Sequence, residues 1–513
     1  MYRILTASKD TYITNKIISN DIRAKDANVG QAGTLDIFKL YAESTSGSDT
    51  SPTELSRVLI KFDLDPLRAM TASSLDISHN SFKCFLKLKD VYGGQTTPSK
   101  FRLLVAPLSK AFDEGGGRDI ISFSDLDSSN FMTASVAGTT PEVWTFDGAN
   151  KEGLLGSDDL DIITSGNLHD GEGSAAFIWK DQLFESGKED LSIDITRIVS
   201  GVLKGQIPDH GLRISLSGTM ETDDKTRFVK RFASRHATTV EHRPKIVVHY
   251  NDSQIDHHKN FYFNLTGSLF LNNFHRNQPA HMLDGRTGNE VKGSNCVVLR
   301  LESGSHDHGT FFTYSVTGSQ HVIGTHAITG VYSASFAIGA FASGTLRSEI
   351  VNAASATFST YWGSTDYKVG FHTGSLVIQN VKRSSFDNAP DKLFLNVTNL
   401  RSKYSSFEKA RMRVFVENLG KEVVFKKKPL ESTSEIYTQM HYRVRDAFNG
   451  KIIIPFDEKY KGTLLSTDSD GMFFDLYMDS LPSGRVYSFD FLIKDFGTDR
   501  VFTNVGSKFR VVE

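Results

Sequence analysis

The stretch that decides the fold is Phe228-Val-Lys-Arg-Phe-Ala-Ser-Arg-His236, followed after a short polar loop by Arg243-Pro-Lys-Ile-Val-Val-His-Tyr250. Charged and apolar residues alternate along the first segment, and the second becomes almost wholly apolar after its Arg-Pro start. Alternation with a period of two indicates a half-buried strand, and a short apolar run bounded by turn residues is typical of a buried strand. The pair therefore predicts two strands that close a β-rich module.

Three segments nearer the N-terminus accompany this pair, in the order Asp10-Thr-Tyr-Ile13, Ala27-Asn-Val-Gly30 and Arg57-Val-Leu-Ile-Lys-Phe-Asp-Leu64. Together the four pieces resemble the DNRLRE family, whose members are jelly-roll domains related to carbohydrate-binding modules. They are most similar to the divergent copies found in structural proteins of tailed bacteriophages. The chain departs from the family where Ala233-Ser-Arg-His236 replaces the usual acidic ending. The resemblance covers roughly the first half of the chain and implies a jelly-roll fold and a virion role.

Length and composition bound the remaining interpretation. The chain has 513 residues, of which 39% are hydrophobic and 23% charged, and its formal net charge is −2. This length predicts two to four domains, and the composition suits a protein that buries large cores. A net charge this small gives no field that would attract nucleic acid or an anionic membrane. Cys84 and Cys296 are too few for a disulfide framework. We therefore expect no nucleic-acid partner and no membrane partner.

Strand patterns run from end to end, so the sequence predicts an all-β chain with a jelly-roll-like sandwich followed by two smaller, Ig-like β-sandwich domains. Polar junctions at Asn251-Asp-Ser-Gln-Ile-Asp-His-His-Lys259 and Arg383-Ser-Ser-Phe-Asp-Asn-Ala-Pro390 mark the boundaries. The predicted domains are residues 1–252, 253–390 and 391–513. One short helix is expected at about Thr196 to Lys204, and residues 115–173, rich in Gly, Ser and Asp, are expected to form loops.

Two local patterns make sharper predictions. In Arg57 to Leu64, Val58 and Ile60 alternate with Arg57 and Lys61, which predicts a strand buried on one face. In the C-terminal domain, Met472 to Asp479 and the run containing Tyr487 to Ile493 flank the turn Pro482-Ser-Gly484, which predicts a β-hairpin.

Arg227, Arg231 and Arg235 share one face of the predicted closing strand. Three interpretations are open. The guanidinium groups are solvated or paired within the chain, they contact a neighbouring subunit, or they bind the carboxylates of an acidic glycan.

Other side chains suggest chemistry less specifically. Trp144 and Trp179 would stack on sugar rings if the module binds glycans, although core packing is the favoured interpretation of both. Histidines gather at His257-His258, His306-x-His308, His321 and His326, but no third metal ligand stands at a recognisable spacing. Asp468-x-Asp470-Gly471 lacks the remaining ligands of a calcium loop and is read as a β-turn. No nucleophile, metal or cofactor motif is present in the sequence, so we expect neither enzymatic activity nor a cofactor.

Together, these expectations predict that the chain is a structural protein of a tailed bacteriophage virion, located in the tail, baseplate or neck. It would be assembled in the host cytoplasm and would act through contacts with other virion proteins in a symmetric ring, with host surface polysaccharide as a second partner. The alternative is a polysaccharide-binding protein or an accessory module of a carbohydrate-active enzyme.

Overall fold

The computed structural model describes residues 1–18, 22–43, 51–72, 75–91, 100–121, 127–171, 173, 176–276, 278–305, 310–353, 355–380, 392–420, 434–495 and 497–513. Strands make up 49% and helices 7%, so the all-β prediction is confirmed. The chain forms two compact units, one of residues 3–68 and 82–249, the other of residues 1–2, 69–81 and 250–513. The predicted division into three domains stays a prediction.

The first 250 residues supply strands β1 to β16 and helices α1 to α3. The strands are β1 (Tyr2–Thr14), β2 (Ile17–Ile18), β3 (Ile22–Arg23), β4 (Thr34–Tyr41), β5 (Thr53–Phe62), β6 (Lys83–Leu88), β7 (Phe101–Pro107), β8 (Thr133–Ala137), β9 (Thr140–Val143), β10 (Glu152–Leu154), β11 (Ile162–Ser165), β12 (Lys180–Phe184), β13 (Leu191–Asp194), β14 (Leu212–Leu216), β15 (Arg227–Ala233) and β16 (Lys245–His249). The helices are α1 (Asp65–Thr71), α2 (Thr196–Leu203) and α3 (Gly218–Thr222), with a 3-10 turn at Val240–His242.

Ten of these strands form one hydrogen-bonded set in the order β12-β7-β14-β5-β1-β16-β6-β13, with β4 pairing to both β5 and β15. The predicted strand is present as β5, but it is buried on both faces, not on one. The reason lies in residues 131–162, which belong to the segment 115–173 that is predicted to form loops. They contain short strands and contribute Phe131, Trp144 and Ile162 to a core cluster with Leu59 of β5. This segment therefore covers the outer face of the sheet.

The second half of the chain supplies strands β17 to β34 and helix α4. The strands are β17 (Phe261–Tyr262), β18 (Gly267–Asn272), β19 (Phe274–His275), β20 (Gln278–Pro279), β21 (Val297–Ser305), β22 (Thr310–Ile323), β23 (His326–Phe336), β24 (Ser355–Gly363), β25 (Gly370–Gln379), β26 (Leu393–Val397), β27 (Lys403–Ser405), β28 (Lys409–Asn418), β29 (Met440–Asp446), β30 (Ile452–Ile454), β31 (Ser466–Asp468), β32 (Gly471–Tyr477), β33 (Val486–Asp495) and β34 (Thr498–Val512). Helix α4 is Gly344–Ala353, and a 3-10 turn covers Met478–Ser480.

Strands β17 to β25 contain a seven-stranded sheet in the order β17-β25-β24-β21-β22-β23-β18. The sheet rolls on itself, because Phe261 from one end stacks on Phe336 near the other with ring centroids 5.0 Å apart. Its core includes Trp362, Phe358 and Leu301.

The C-terminal strands form two sheets, β26-β28-β32-β31 and β27-β34-β33-β29-β30. Phe474 of the first sheet stacks on Tyr442 of the second at 4.1 Å, so the sheets face each other across an aromatic core. The predicted hairpin of β32 and β33 is wrong, since these strands belong to different sheets. The connection from β32 to β33 passes from one sheet to the other, and its residues Met478, Ser480 and Leu481 are buried.

The segment predicted as a polar junction packs against strand β31. Thr467 N donates to Gln254 O at 2.9 Å, and Asp256 N donates to Thr467 Oγ1 at 2.6 Å. Asp256 is buried, and burial raises the pKa of its carboxyl to about 7. This junction is therefore ordered by hydrogen bonds to the C-terminal sandwich.

Candidate functional site

Each of the three predicted arginines pairs with a carboxylate of the same unit. Arg227 binds Asp223 through two hydrogen bonds. Arg231 binds Asp36 through Nε and Nη2 at 2.7 and 2.6 Å. Arg235 binds Glu114 through Nε and Nη2, the latter at 2.6 Å. Two-pronged pairs of this kind hold the guanidinium plane in place.

The arginines also fail to form one regular row. Strand β15 ends at Ala233, two residues before Arg235, and its pairing with β4 shifts register between Arg227 and Lys230. Because every guanidinium is already engaged by its own chain, the interpretation of internal pairing fits the geometry. Binding of a glycan or a neighbouring subunit by these groups would require breaking those pairs.

The two predicted sugar-stacking residues differ in exposure. Trp144 is buried, and its Nε1 donates to Asn130 O at 3.0 Å, so its ring is not available to a sugar. Trp179 is half-buried and lies 5.4 Å, centroid to centroid, from the exposed ring of Phe177. Of the two tryptophans, Trp179 is the one whose ring could still stack on a sugar. Its aromatic neighbour, Phe177, is not among the residues predicted from the sequence.

The quoted motif segments converge on one cluster. The Asp10 cluster consists of Asp10 on β1, Glu114 from the loop after β7, and Arg235 and His236 after β15. Arg235 N donates to Asp10 Oδ2 at 2.6 Å, and Asp10 N donates to Glu114 Oε1 at 2.9 Å. His236 Nε2 lies 3.5 Å from the same Glu114 oxygen. Three segments that are distant in sequence are thus joined by charged and polar groups.

The loop that carries Glu114 is held by the second motif segment. Asn28 is fully buried, and its Nδ2 donates to Glu114 O and Ser129 O at 2.9 and 2.8 Å. Its Oδ1 accepts from Gly117 N at 2.9 Å and from Gly30 N at 3.1 Å. The amide therefore uses its full hydrogen-bonding capacity. A Cβ at Gly30 would lie 1.9 Å from Glu114 O, so the close approach of the two loops requires glycine there.

The surroundings of Asp10 disfavour the charged form of its carboxyl group. Burial is the main cause that raises the pKa of Asp10 to about 7, with the nearby Glu114 adding to it, while the hydrogen bond from Arg235 N opposes the shift. Asp10 Oδ1 and His236 Nε2 are buried and make no hydrogen bond to any residue that the structure describes. Asp10, Glu114 and His236 each offer one possible ligand atom, and these three atoms all lie within 4.8 Å of one another. This geometry could hold a metal ion.

Sequence reasoning named Asp10, Asn28 and His236 only as motif members, assigned Arg235 only to the arginine face, and missed Glu114. The available signal was an acidic residue directly before Gly115-Gly-Gly117, since such a loop lets backbone approach closely. The histidines that were considered lie elsewhere, and His306-x-His308 falls outside the described residues. Asp468-x-Asp470-Gly471 forms the turn between β31 and β32, as predicted.

No family model matches the sequence, and neither does any of the curated proteins searched. Among solved structures, trypsin-activated alpha-2-macroglobulin from Escherichia coli is similar over 94% of this chain and 24% of its own, with 8% identity and a TM-score of 0.16. The native conformation of E. coli alpha-2-macroglobulin is similar over 98% of this chain and 35% of its own, with 9% identity and a TM-score of 0.13. The chain thus spans about a quarter to a third of these proteins, and the likeness is too low to carry an argument. No helix in the described ranges is long and apolar enough to cross a membrane.

Proposed function

We propose that the protein is a non-enzymatic structural component of a tailed bacteriophage virion, located in the tail, baseplate or neck. It acts as one of several copies in a symmetric assembly, through contacts with other virion proteins. The resemblance of the first half of the chain to phage-borne DNRLRE-like domains supports this proposal. So does the succession of β sheets, because their edges and connecting loops offer extended contact surfaces.

The observation that carries the proposal is a pair of exposed phenylalanines on the C-terminal sandwich. Phe407 is 92% exposed and Phe448 is 97% exposed. A large apolar ring in water is unfavourable by roughly 1.5 to 3 kcal/mol relative to a buried one. Two such rings at loop tips therefore favour a surface that a partner covers.

Both rings belong to the same end of that sandwich. Ser406, next to Phe407, donates its N–H to Val512 O at 2.7 Å, and Ala447, next to Phe448, donates to Val486 O at 2.8 Å. Strands β33 and β34 pair Val486 with Arg510, which places these two anchor points side by side. We call this end the phenylalanine pole, defined by Phe407, Phe448 and the strand ends beside them. It replaces the arginines as the proposed contact surface.

The proposal is tested on phage particles that carry the gene. Mass spectrometry of purified virions should detect the protein at a fixed copy number. The double variant Phe407→Ser, Phe448→Ser should fold normally, because both rings are exposed, yet be depleted at least tenfold from particles. Phe341→Ser is the matched control, since Phe341 is 76% exposed elsewhere on the chain. Absence of the protein from virions would contradict the virion role, and normal incorporation of the double variant would contradict the role of the pole.

A second candidate function rests on Phe177 and Trp179. Phe177 is exposed and Trp179 is half-buried, and aromatic rings at a surface can stack on the apolar faces of sugars. Arg197 and Asp170 form an ion pair beside them, with Arg197 Nη1 bonded to Phe177 O. This pair favours binding of host surface polysaccharide, either by the virion protein or by an accessory module of a carbohydrate-active enzyme. Binding of capsular or cell-wall polysaccharide that is lost in Trp179→Ala, without cleavage of the polysaccharide, would support it.

A further inference from the structure

We propose that the Asp10 cluster is a binding site for a first-row divalent transition-metal ion of the Zn²⁺ or Co²⁺ class, with Asp10 Oδ1, Glu114 Oε1 and His236 Nε2 as its ligands. Two of these atoms, Asp10 Oδ1 and His236 Nε2, are buried and lack a hydrogen-bond partner. Buried polar atoms ordinarily have a partner, so an unpartnered carboxylate oxygen on a residue that is only 1% exposed calls for a cation or a donor.

The chemistry of the donors selects the ion. An imidazole nitrogen together with carboxylate oxygens suits Zn²⁺ and Co²⁺, whereas Ca²⁺ is bound by oxygen ligands alone in larger number. Bonds of about 2.0 to 2.2 Å place neighbouring ligands roughly 3 to 3.5 Å apart around such an ion. The distance of 3.5 Å between His236 Nε2 and Glu114 Oε1 already meets this requirement. The 4.8 Å bound on the cluster leaves the Asp10 ligand oxygen at most about 1.3 to 1.8 Å too far from the other two ligand atoms.

Arg235 sets the strength of the site. Its Nε donates to the Glu114 oxygen that the ion would take, and its Nη2 donates to the other oxygen at 2.6 Å. Metal binding therefore competes with the Nε bond and with the bond from Asp10 N to the same oxygen, and it leaves the Nη2 bond in place. Because the guanidinium repels the incoming cation, we expect the site to be weaker than one without a nearby arginine.

The ion would connect three segments, β1, the loop after β7 and the turn after β15, whose members lie 104 and 121 residues apart along the sequence. A ligand that binds only the folded state adds its binding free energy to folding. The site would therefore act as a structural clip for the jelly-roll-like unit. This role is independent of whether the protein belongs to a virion.

The test uses the full-length protein after treatment with a chelator. Titration with Co²⁺ should produce saturable visible absorption bands at one ion per chain, and Zn²⁺ should raise the melting temperature. Asp10→Asn and His236→Gln should each weaken Co²⁺ binding at least tenfold. Arg235→Met should strengthen it in protein that remains folded. His169→Asn is the control, because His169 is exposed and its φ of 49° is a conformation that asparagine adopts readily.

Four outcomes would overturn the assignment. They are absence of saturable Co²⁺ binding to the wild-type protein, binding that survives in both Asp10→Asn and His236→Gln, binding lost equally in His169→Asn, and a preference for Ca²⁺ over Co²⁺. The titrations of the two ligand variants are read with circular dichroism, so that loss of binding counts only where the β spectrum is retained. The asparagine at position 10 is isosteric and still accepts from Arg235 N, which keeps this comparison measurable.

Discussion

At the scale of single residues, Glu221 neutralises a buried arginine in the unit of residues 3–68 and 82–249. This carboxylate accepts from Arg57 Nε and Nη2 at 3.1 and 2.6 Å, and both side chains are buried. Arg213 lies in the same environment, where burial and the charge of Arg57 lower its pKa to about 10. Glu221 thus neutralises Arg57 and also acts on Arg213, together with Glu152 and Asp161, which makes the site sensitive to loss of the Glu221 charge.

Glu221→Gln is expected to lower the free energy of unfolding by about 3 to 5 kcal/mol, because it leaves Arg57 buried without its counter-charge. Denaturant unfolding followed by fluorescence would measure the change. Asp181→Asn, which breaks the exposed ion pair with Arg102, is the control and should cost at most about 1 kcal/mol. Equal effects of the two substitutions would contradict the distinction between buried and exposed pairs.

Asp256 predicts a pH dependence of stability. Its folded pKa of about 7 lies above the value of about 4 that an unfolded aspartate has. The folded state therefore holds the proton more tightly, and its stability falls as pH rises from about 4 to about 7, then levels off. Asp256→Asn removes this proton exchange. The difference in unfolding free energy between wild type and variant should decline across that window, and a flat difference would show that the carboxyl titrates normally.

At the scale of elements, the loop after β7 requires glycine at position 117 and not at position 116. A Cβ at Gly117 would lie 1.8 Å from Asn28 O, whereas one at Gly116 would meet no atom within 4 Å. Gly117→Ala should therefore destabilise the protein by about 1 to 3 kcal/mol through forced backbone displacement. Gly116→Ala should be close to neutral. Thermal unfolding of both variants measures the contrast, and similar melting temperatures would refute the close approach of the two loops.

The crossover between the two C-terminal sheets provides another matched pair. Tyr487 Oη donates to Pro482 O at 2.6 Å and so closes the connection from β32 to β33. Tyr442 is equally buried, but its hydroxyl makes no hydrogen bond. Tyr487→Phe should cost about 0.5 to 1.5 kcal/mol, while Tyr442→Phe should be neutral or stabilising. Denaturant midpoints of the two variants that shift by the same amount would count against this assignment.

Much of this element structure follows from the sequence, since local patterns determine local structure. Helix α2 was expected at about Thr196 to Lys204 and lies at Thr196–Leu203, because its apolar spacing and polar start are local signals. The prediction of a hairpin at Pro482 is wrong for a physical reason. Alternation assigns the two faces of a strand, but it carries no information on which sheet the strand joins. The buried Met478 and Leu481 are consistent with a connection that passes from one sheet to the other.

The site was less accessible to sequence reasoning. The sequence predicts three arginines on one strand face, but the carboxylate partners of Arg231 and Arg235 lie 195 and 121 residues away in the chain. Pairing over such separations is a property of the folded topology and not of any local pattern. Trp144 was ambiguous for the same reason, because only the folded insert reveals that it belongs to a core.

At the scale of the whole molecule, the two compact units contain separate cores. We therefore expect two cooperative transitions in scanning calorimetry, since each core unfolds as its own unit. Glu221→Gln should lower only one transition and Tyr487→Phe only the other, which assigns each transition to its unit. A single transition that both substitutions shift together would contradict this independence.

The short parallel pairing of β27 with β34 has a mechanical consequence. Ser406 N donates to Val512 O at 2.7 Å, and Arg510 N donates to Ser402 O at 2.9 Å, so the strand that opens this sheet runs beside the strand that closes it. Tension applied between the chain before Ser402 and the chain at Val512 acts along both strands in opposite directions. The bonds are then strained in shear, all at once, instead of opening one after another like a zipper. A sandwich built this way resists stretching along its own axis.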